Sequence, residues 1–148
     1  MRDAFASEHY DIVASDDQVL FLTADIGFQV FDRLVADFPD RFLNMGVAEA
    51  NMIGVAAGLA LSGKQPWVYT IVPFLTMRAF EQIRVDVCIQ NQPVKIVGVG
   101  GGLAYGALGP THHSLEDMAI LRALPNMTVI SPCDPIESRK ATRAASEH

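Results

Sequence analysis

Three places in this sequence carry side chains able to do acid–base or binding chemistry: Asp25, Glu49 and the pair His112-His113. Asp25 follows the apolar run VLFLT, residues 19–23. Ligands of open parallel sheets gather outside the carboxyl ends of strands, so this aspartate is placed for a site, although a turn or helix cap also suits it. Glu49 lies in RFLNMGVAEANMIGVAAGLALSG, residues 41–63, which reads as a short strand, a turn at Gly46 and a helix rich in small residues. An acid in a first helical turn also arises from the helix dipole alone, which favours it by about 0.3–1 kcal/mol. His112 and His113 close a glycine-rich loop that begins at Gly100, and Glu116 and Asp117 follow. Those four could suggest a metal site, but Glu116 and Asp117 fall on different helix faces and both suit a first turn. The loop lacks the Lys-Ser/Thr ending of a P-loop and the spacing of a dinucleotide fingerprint.

The elements that must position these groups alternate along the chain. Residues 1–15 have loose helical spacing, and 19–23 form a buried strand. Phe28, Phe31, Leu34, Val35 and Phe38 predict a helix that stops at Pro39. Arg41 to Met45 is a second strand, and the Glu49 helix runs to Gly63. Gly54, Ala56, Ala57, Gly58 and Ala60 imply close approach of another backbone, because helical glycine otherwise costs about 1 kcal/mol. Strand WVYTIV, residues 67–72, leads into a helix from Leu75 to Gln90 with Phe80, Ile83, Val87 and Cys88 inward. VKIVGVG, residues 94–100, is a further strand. Ser114 and Asp117 resemble a capping box for a helix over 115–124. Residues 127–131, MTVIS, are a fifth strand candidate, and Pro135 opens a last helix. This alternation predicts an α/β fold: a doubly wound, mainly parallel sheet with helices on both faces.

The 148 residues suit one domain, 1–148, with a real core. Half are hydrophobic and 19% charged, which excludes a disordered chain. The net charge of -6, without a basic cluster, offers no footprint for nucleic acid or an anionic membrane. No apolar run reaches a membrane-spanning length. Cys88 and Cys133 sit in apolar segments and no signal-peptide pattern precedes them, so free, buried thiols in a cytoplasmic setting are expected.

Five segments together resemble the pyrimidine-binding domain of the transketolase family of thiamine diphosphate enzymes. They are Thr23-Ala24-Asp25, FPDRFLNMGVAEANMIGVAAGLALSGKQP, VPFLTMRAFEQIR, GPTHHSLEDMAILRALPN and SPCDP, in family order across residues 19–135. The DRF, GVAE and NM elements are also similar to 1-deoxyxylulose-5-phosphate synthase, of the same superfamily. The resemblance implies a residue-by-residue assignment. Glu49 matches the glutamate that hydrogen-bonds N1′ of the cofactor's aminopyrimidine, favouring the imino tautomer that removes the thiazolium C2 proton. A carboxyl group in apolar surroundings retains its proton more readily and can donate there. Phe74 matches the aromatic that packs on the aminopyrimidine ring. His112 matches the loop histidine near the thiazolium and substrate oxygens, as proton donor or oxyanion partner. Asp25 matches an aspartate close to the cofactor.

Departures from the family bear on substrate. Gly100 stands where many sugar-phosphate transketolases have histidine, Leu108 where they have aspartate, Ile71 at the first platform aromatic and His113 at a common glutamine. A more apolar and roomier substrate pocket follows. No Gly-Asp-Gly motif occurs, the element that in the family holds magnesium and the diphosphate, and the family's third domain and a closing strand have no counterpart. The expectation is a site completed by another polypeptide, a diphosphate-binding subunit carrying Mg, in a dimer or α2β2 assembly; otherwise the chain is a piece of a longer protein. The activity implied is transfer of a two-carbon ketol unit between sugars or sugar phosphates. The alternatives are a deoxyxylulose-phosphate-synthase-like or 2-oxoacid-decarboxylating reaction, and a non-catalytic assembly domain.

Overall fold

Alternation along strand β1, Val19–Thr23, divides the interior in two: Val19 and Phe21 point to one side of the sheet, Leu20 and Leu22 to the other. The computed structural model describes residues 1–148. Helix α1, Arg2–Ser15, precedes β1; helix α2, Asp32–Asp37, leads to β2, Phe42–Asn44; helix α3, Glu49–Leu61, leads to β3, Gln65–Ile71. A helical stretch from Phe74 to Ile89, with α4 at Phe80–Gln82, precedes β4, Lys95–Val99. Two helices complete the chain, α5 at Asp117–Arg122 and α6 at Pro135–Ser146. All pairings are parallel, in the order β2-β1-β3-β4. Because the chain steps one way from β1 to β2 and the other way from β2 to β3, right-handed crossovers put α2 and α3 on opposite faces. One face buries Met52, Ile53, Ala56 and Ala57 of α3 against Leu22 and Val68; the other buries Phe5, Ile12 and Val13 of α1 against Phe21 and Trp67. The expected doubly wound parallel architecture is therefore present.

Several local readings are corrected. The helix expected from Phe28 to Phe38 shrinks to α2, since Gly27 and Gln29 take φ of 95° and 67°, outside any helix. Phe31 and Leu34 reach the core while Phe28 stays 73% exposed. Residues 127–131 form no strand, and Ile130 is exposed. Their β-branched composition suits a pleated surface, but a strand exists only where a neighbouring ladder accepts it. Ser114 does not cap a helix: its backbone exchanges hydrogen bonds with Gly102, at 2.8 and 2.9 Å, which holds it extended, and α5 starts later. Of the two free cysteines Cys88 is buried, but Cys133 is exposed beside the α6 cap. Gly54 and Gly58 lie on the open face of α3, and a Cβ at either would meet nothing within 4 Å, so no backbone of this chain closes on them.

The stretch after β3 departs from regular α geometry for a visible reason. Its buried residues Leu75, Ala79, Ile83 and Val87 recur every fourth position. An α-helix of 3.6 residues per turn would rotate such a stripe steadily off the sheet. Wide π turns at Phe74–Arg78 and Ile83–Ile89 hold it in place.

Helix α6 begins with Asp134, whose Oδ1 accepts from the backbone N–H of Ile136 at 2.7 Å and of Glu137 at 2.8 Å, and Pro135 occupies the first turn. Arg143 Nε donates to Glu8 on α1 at 2.7 Å. Asp134→Ala is expected to destabilise the fold by about 1 kcal/mol through loss of the cap. A urea midpoint equal to wild type would show that α6 contributes nothing to cooperative folding.

Candidate active site

Loops after all four strands meet at the carboxyl edge of the sheet. After β2, Asn44 Oδ1 accepts from Gly46 N–H at 3.0 Å, and Gly46 turns the chain at φ 67° into α3. A side chain at that φ is strained, which is why glycine stands there. The turn places Glu49 at the first position of α3, where its side chain is 1% exposed. A carboxylate removed from water needs a partner. Arg78 supplies it, Nη1 donating to Oε2 at 2.7 Å.

Arg78 belongs to the π turn after β3, and its guanidinium carbon lies 4.6 Å from the centroid of the Phe74 ring. The Phe74 and His112 rings meet in a T-shaped arrangement with centroids 5.0 Å apart, and Tyr105 meets His112 at 5.7 Å. Glu49, Arg78, Phe74, His112 and Tyr105 thus form one connected row. Beside it a cleft of about 450 Å³ opens between the Pro73–Arg78 turn and the loop holding Pro110, Thr111 and His113.

Three of the four residues singled out in the sequence are brought together: Glu49, Phe74 and His112. Asp25 is not among them. It sits at the β1 end with φ 54°, exposed, its Oδ1 accepting from Asn44 Nδ2 at 2.9 Å and its N–H donating to Asn44 Oδ1 at 3.1 Å. That pairing ties the ends of β1 and β2, the turn role that suited it from the start. His112 Nδ1 lies 3.0 Å from the Thr111 hydroxyl, and His113 Nε2 donates to the Gly106 carbonyl at 3.0 Å. With Nε2 of His113 engaged by its own loop, His112 is the histidine left to face the row. No group of three or more His, Cys, Asp or Glu side chains is arranged to hold a metal ion.

Arg78 and Tyr105 escaped the sequence reading. An arginine in a helix is ordinarily a solvated face, and only the fold shows its partner to be a buried glutamate. Tyr105 modifies the expectation of a roomier pocket at Gly100. A Cβ there would lie 2.0 Å from the tyrosine ring, so the space freed by the missing side chain is taken by Tyr105.

The family model described as transketolase, pyrimidine binding domain, matches residues 1–148. The chain belongs to that family. This transketolase pyrimidine domain is 38% identical over 143 residues to a subunit of the apulose-4-phosphate transketolase of Phocaeicola vulgatus, covering 96% of this chain and 46% of the relative. It is 41% identical over 141 residues to 1-deoxy-D-xylulose-5-phosphate synthase 1 of Geobacter metallireducens, covering 93% of this chain and 22% of that protein. Among solved structures it superposes on a split gene transketolase, described as an inactive beta4 tetramer, with TM-score 0.87 and 36% identity, over 99% of this chain and 48% of that one. The chain therefore spans less than half the length of these relatives. The family is one of thiamine diphosphate-dependent transferases. No helix is long and apolar enough to cross a membrane.

Proposed function

We propose that this transketolase pyrimidine domain forms half of the site of a split transketolase-like enzyme, which moves a two-carbon ketol unit between sugars or sugar phosphates. The observation that carries this reading is the buried carboxylate of Glu49 aimed, together with the Phe74 face, at one planar nitrogen donor. That donor is Arg78 here, and a flat N–H group thereby satisfies carboxylate and ring at once. An aminopyrimidine carrying a proton on N1′ is likewise flat and presents the same kind of N–H donor, so the residues suit thiamine diphosphate. Bound there, the cofactor would supply a thiazolium C2–H whose loss gives the carbon nucleophile needed to take up a ketol unit.

The chain's own residues would do the rest. Glu49, screened from water, holds a hydrogen bond at N1′ and moves a proton there. Phe74 orients the ring by an offset stacked face, worth about 0.5–1.5 kcal/mol beyond burial. When the Thr111 hydroxyl donates to Nδ1 of His112, the proton of that imidazole sits on Nε2, free to be given to a substrate oxygen. Asp25 acts one step removed, by fixing Asn44 and through it the Gly46 turn that delivers Glu49.

Magnesium and the diphosphate belong, in this reading, to a second chain with the Gly-Asp-Gly motif, joined in a dimer or α2β2 assembly in a reducing, cytoplasmic setting. The name of the Phocaeicola relative supports it, since that protein is called one lettered subunit of a transketolase. The open glycine face of α3, at Gly54 and Gly58, leaves room for another backbone. The Geobacter relative supports a second reading, condensation with loss of carbon dioxide from pyruvate.

Affinity capture at moderate salt, followed by assay of the complex with thiamine diphosphate and magnesium, tests both. A captured partner carrying Gly-Asp-Gly and ketol transfer between sugars is the expected result. Pyruvate consumption with carbon dioxide release would favour the second reading. A complex that turns over neither would leave an assembly domain.

A further inference from the structure

Arg78 takes up both features that the proposed reading gives to the aminopyrimidine. Its Nη1–H reaches the Glu49 carboxylate at 2.7 Å, and its guanidinium carbon lies over the Phe74 ring, 4.6 Å from the centroid. Guanidinium and an aminopyrimidine that carries a proton on N1′ are alike in being flat, delocalised and able to donate an N–H to the carboxylate. Both cannot occupy one carboxylate edge and one ring face. We propose that Arg78 is a displaceable plug of the pyrimidine site, which satisfies the buried Glu49 in the empty domain and must swing out for the cofactor to enter.

The setting suits that motion. Glu49 is 1% exposed and anchored at the start of α3, whereas the Arg78 side chain is 49% exposed and has water to turn into. It lies in a π turn beside the cleft bounded by Met77, Thr111 and His113. Without the plug, a buried and unpaired carboxylate would burden the fold before assembly. With it, the domain is satisfied when empty and the cofactor must compete. The apparent affinity of a site falls by the fraction of time it is open, so a plug closed nine-tenths of the time weakens binding about tenfold.

This inference rests on the proposed function, and the test separates the two. Thiamine diphosphate is titrated by calorimetry, with saturating magnesium, into the complex of this chain with its diphosphate-binding partner, as wild type, Arg78→Met and Arg78→Lys. Tightening by roughly three- to tenfold in Arg78→Met is expected. Arg78→Lys, a point charge without the plane, is expected to fall between. Equal or weaker binding by a folded Arg78→Met complex overturns the plug and leaves the proposed function standing. No binding by the wild-type complex overturns both. Should Arg78→Met fail to fold, the side-chain resonance of isotope-labelled Arg78 in the wild-type complex decides. A shift to a mobile, solvent-exposed signal on saturation supports displacement, and an unchanged ion-paired signal overturns it.

Discussion

Glu49→Gln in the assembled enzyme is expected to lower turnover by about 10²–10⁴-fold, the range in which a positioned acid–base group acts. At about 1.4 kcal/mol per decade this is roughly 3–5 kcal/mol of transition-state stabilisation. Glutamine keeps the length of the side chain and an acceptor oxygen for Arg78, so the packing at the start of α3 persists. What it loses is the ability to hold or hand over a proton at the cofactor's ring nitrogen. Cofactor affinity is expected to change far less than turnover, because the hydrogen bond is retained in altered form while the proton shift is not. Turnover within about threefold of wild type would remove Glu49 from the chemistry and favour a domain that serves assembly alone. A matched thermal midpoint for the two proteins guards against loss of folding as the cause.

The second large effect concerns stability in acid. His9 is fully buried on α1, stacked on Phe5 at 5.5 Å and close to Phe21 and Trp67, both at 4.8 Å between ring centroids. Neither ring nitrogen has a hydrogen-bond partner. Burial without a partner disfavours the imidazolium and lowers the pKa from 6.5 to about 3. The folded chain therefore keeps His9 neutral where the unfolded chain binds a proton. Stability is fully present above pH 6.5 and is lost as pH falls from there towards 3, by about 1.4 kcal/mol per unit. Near pH 5 the loss from this one residue is about 2 kcal/mol. His9→Phe is expected to flatten that limb and to gain about 1–2 kcal/mol at neutral pH, since the orphaned N–H disappears. Urea unfolding at pH 7 and pH 5 reads both, and Phe can cost something in overpacking without touching the slope. Parallel curves for wild type and variant would place the acid sensitivity elsewhere.

Much of the candidate site was legible in the sequence because its parts are local. Gly46 needs a left-handed turn, and the acid that follows it at the start of a helix is a matter of a few adjacent residues. Phe74 after β3 and His112 in the glycine loop were located by segments that resemble the family's and follow its order along the chain. Asp25 was placed at the correct strand end, yet which neighbour it chooses depends on where β2 lies, and Asn44 took it. The strand expected at 127–131 failed for the same reason, as pairing is a property of the neighbour and not of the segment.

By itself, then, the sequence determined the α/β alternation and the parallel sheet, and its short motifs, by resemblance, pointed to the family and to Glu49, Phe74 and His112 as candidate groups. Those follow from hydrophobic period, turn residues and short motifs, each encoded within a few positions. The tertiary structure decided what those groups face. It set Arg78 against Glu49 across 29 positions of sequence, put Tyr105 into the space beside Gly100, widened the helix after β3 to keep a four-residue stripe on the sheet, and enclosed His9 in aromatic rings. Electrostatic pairing and burial depend on distance in space, and distance in space between remote residues is fixed only when crossovers and sheet order bring the elements together.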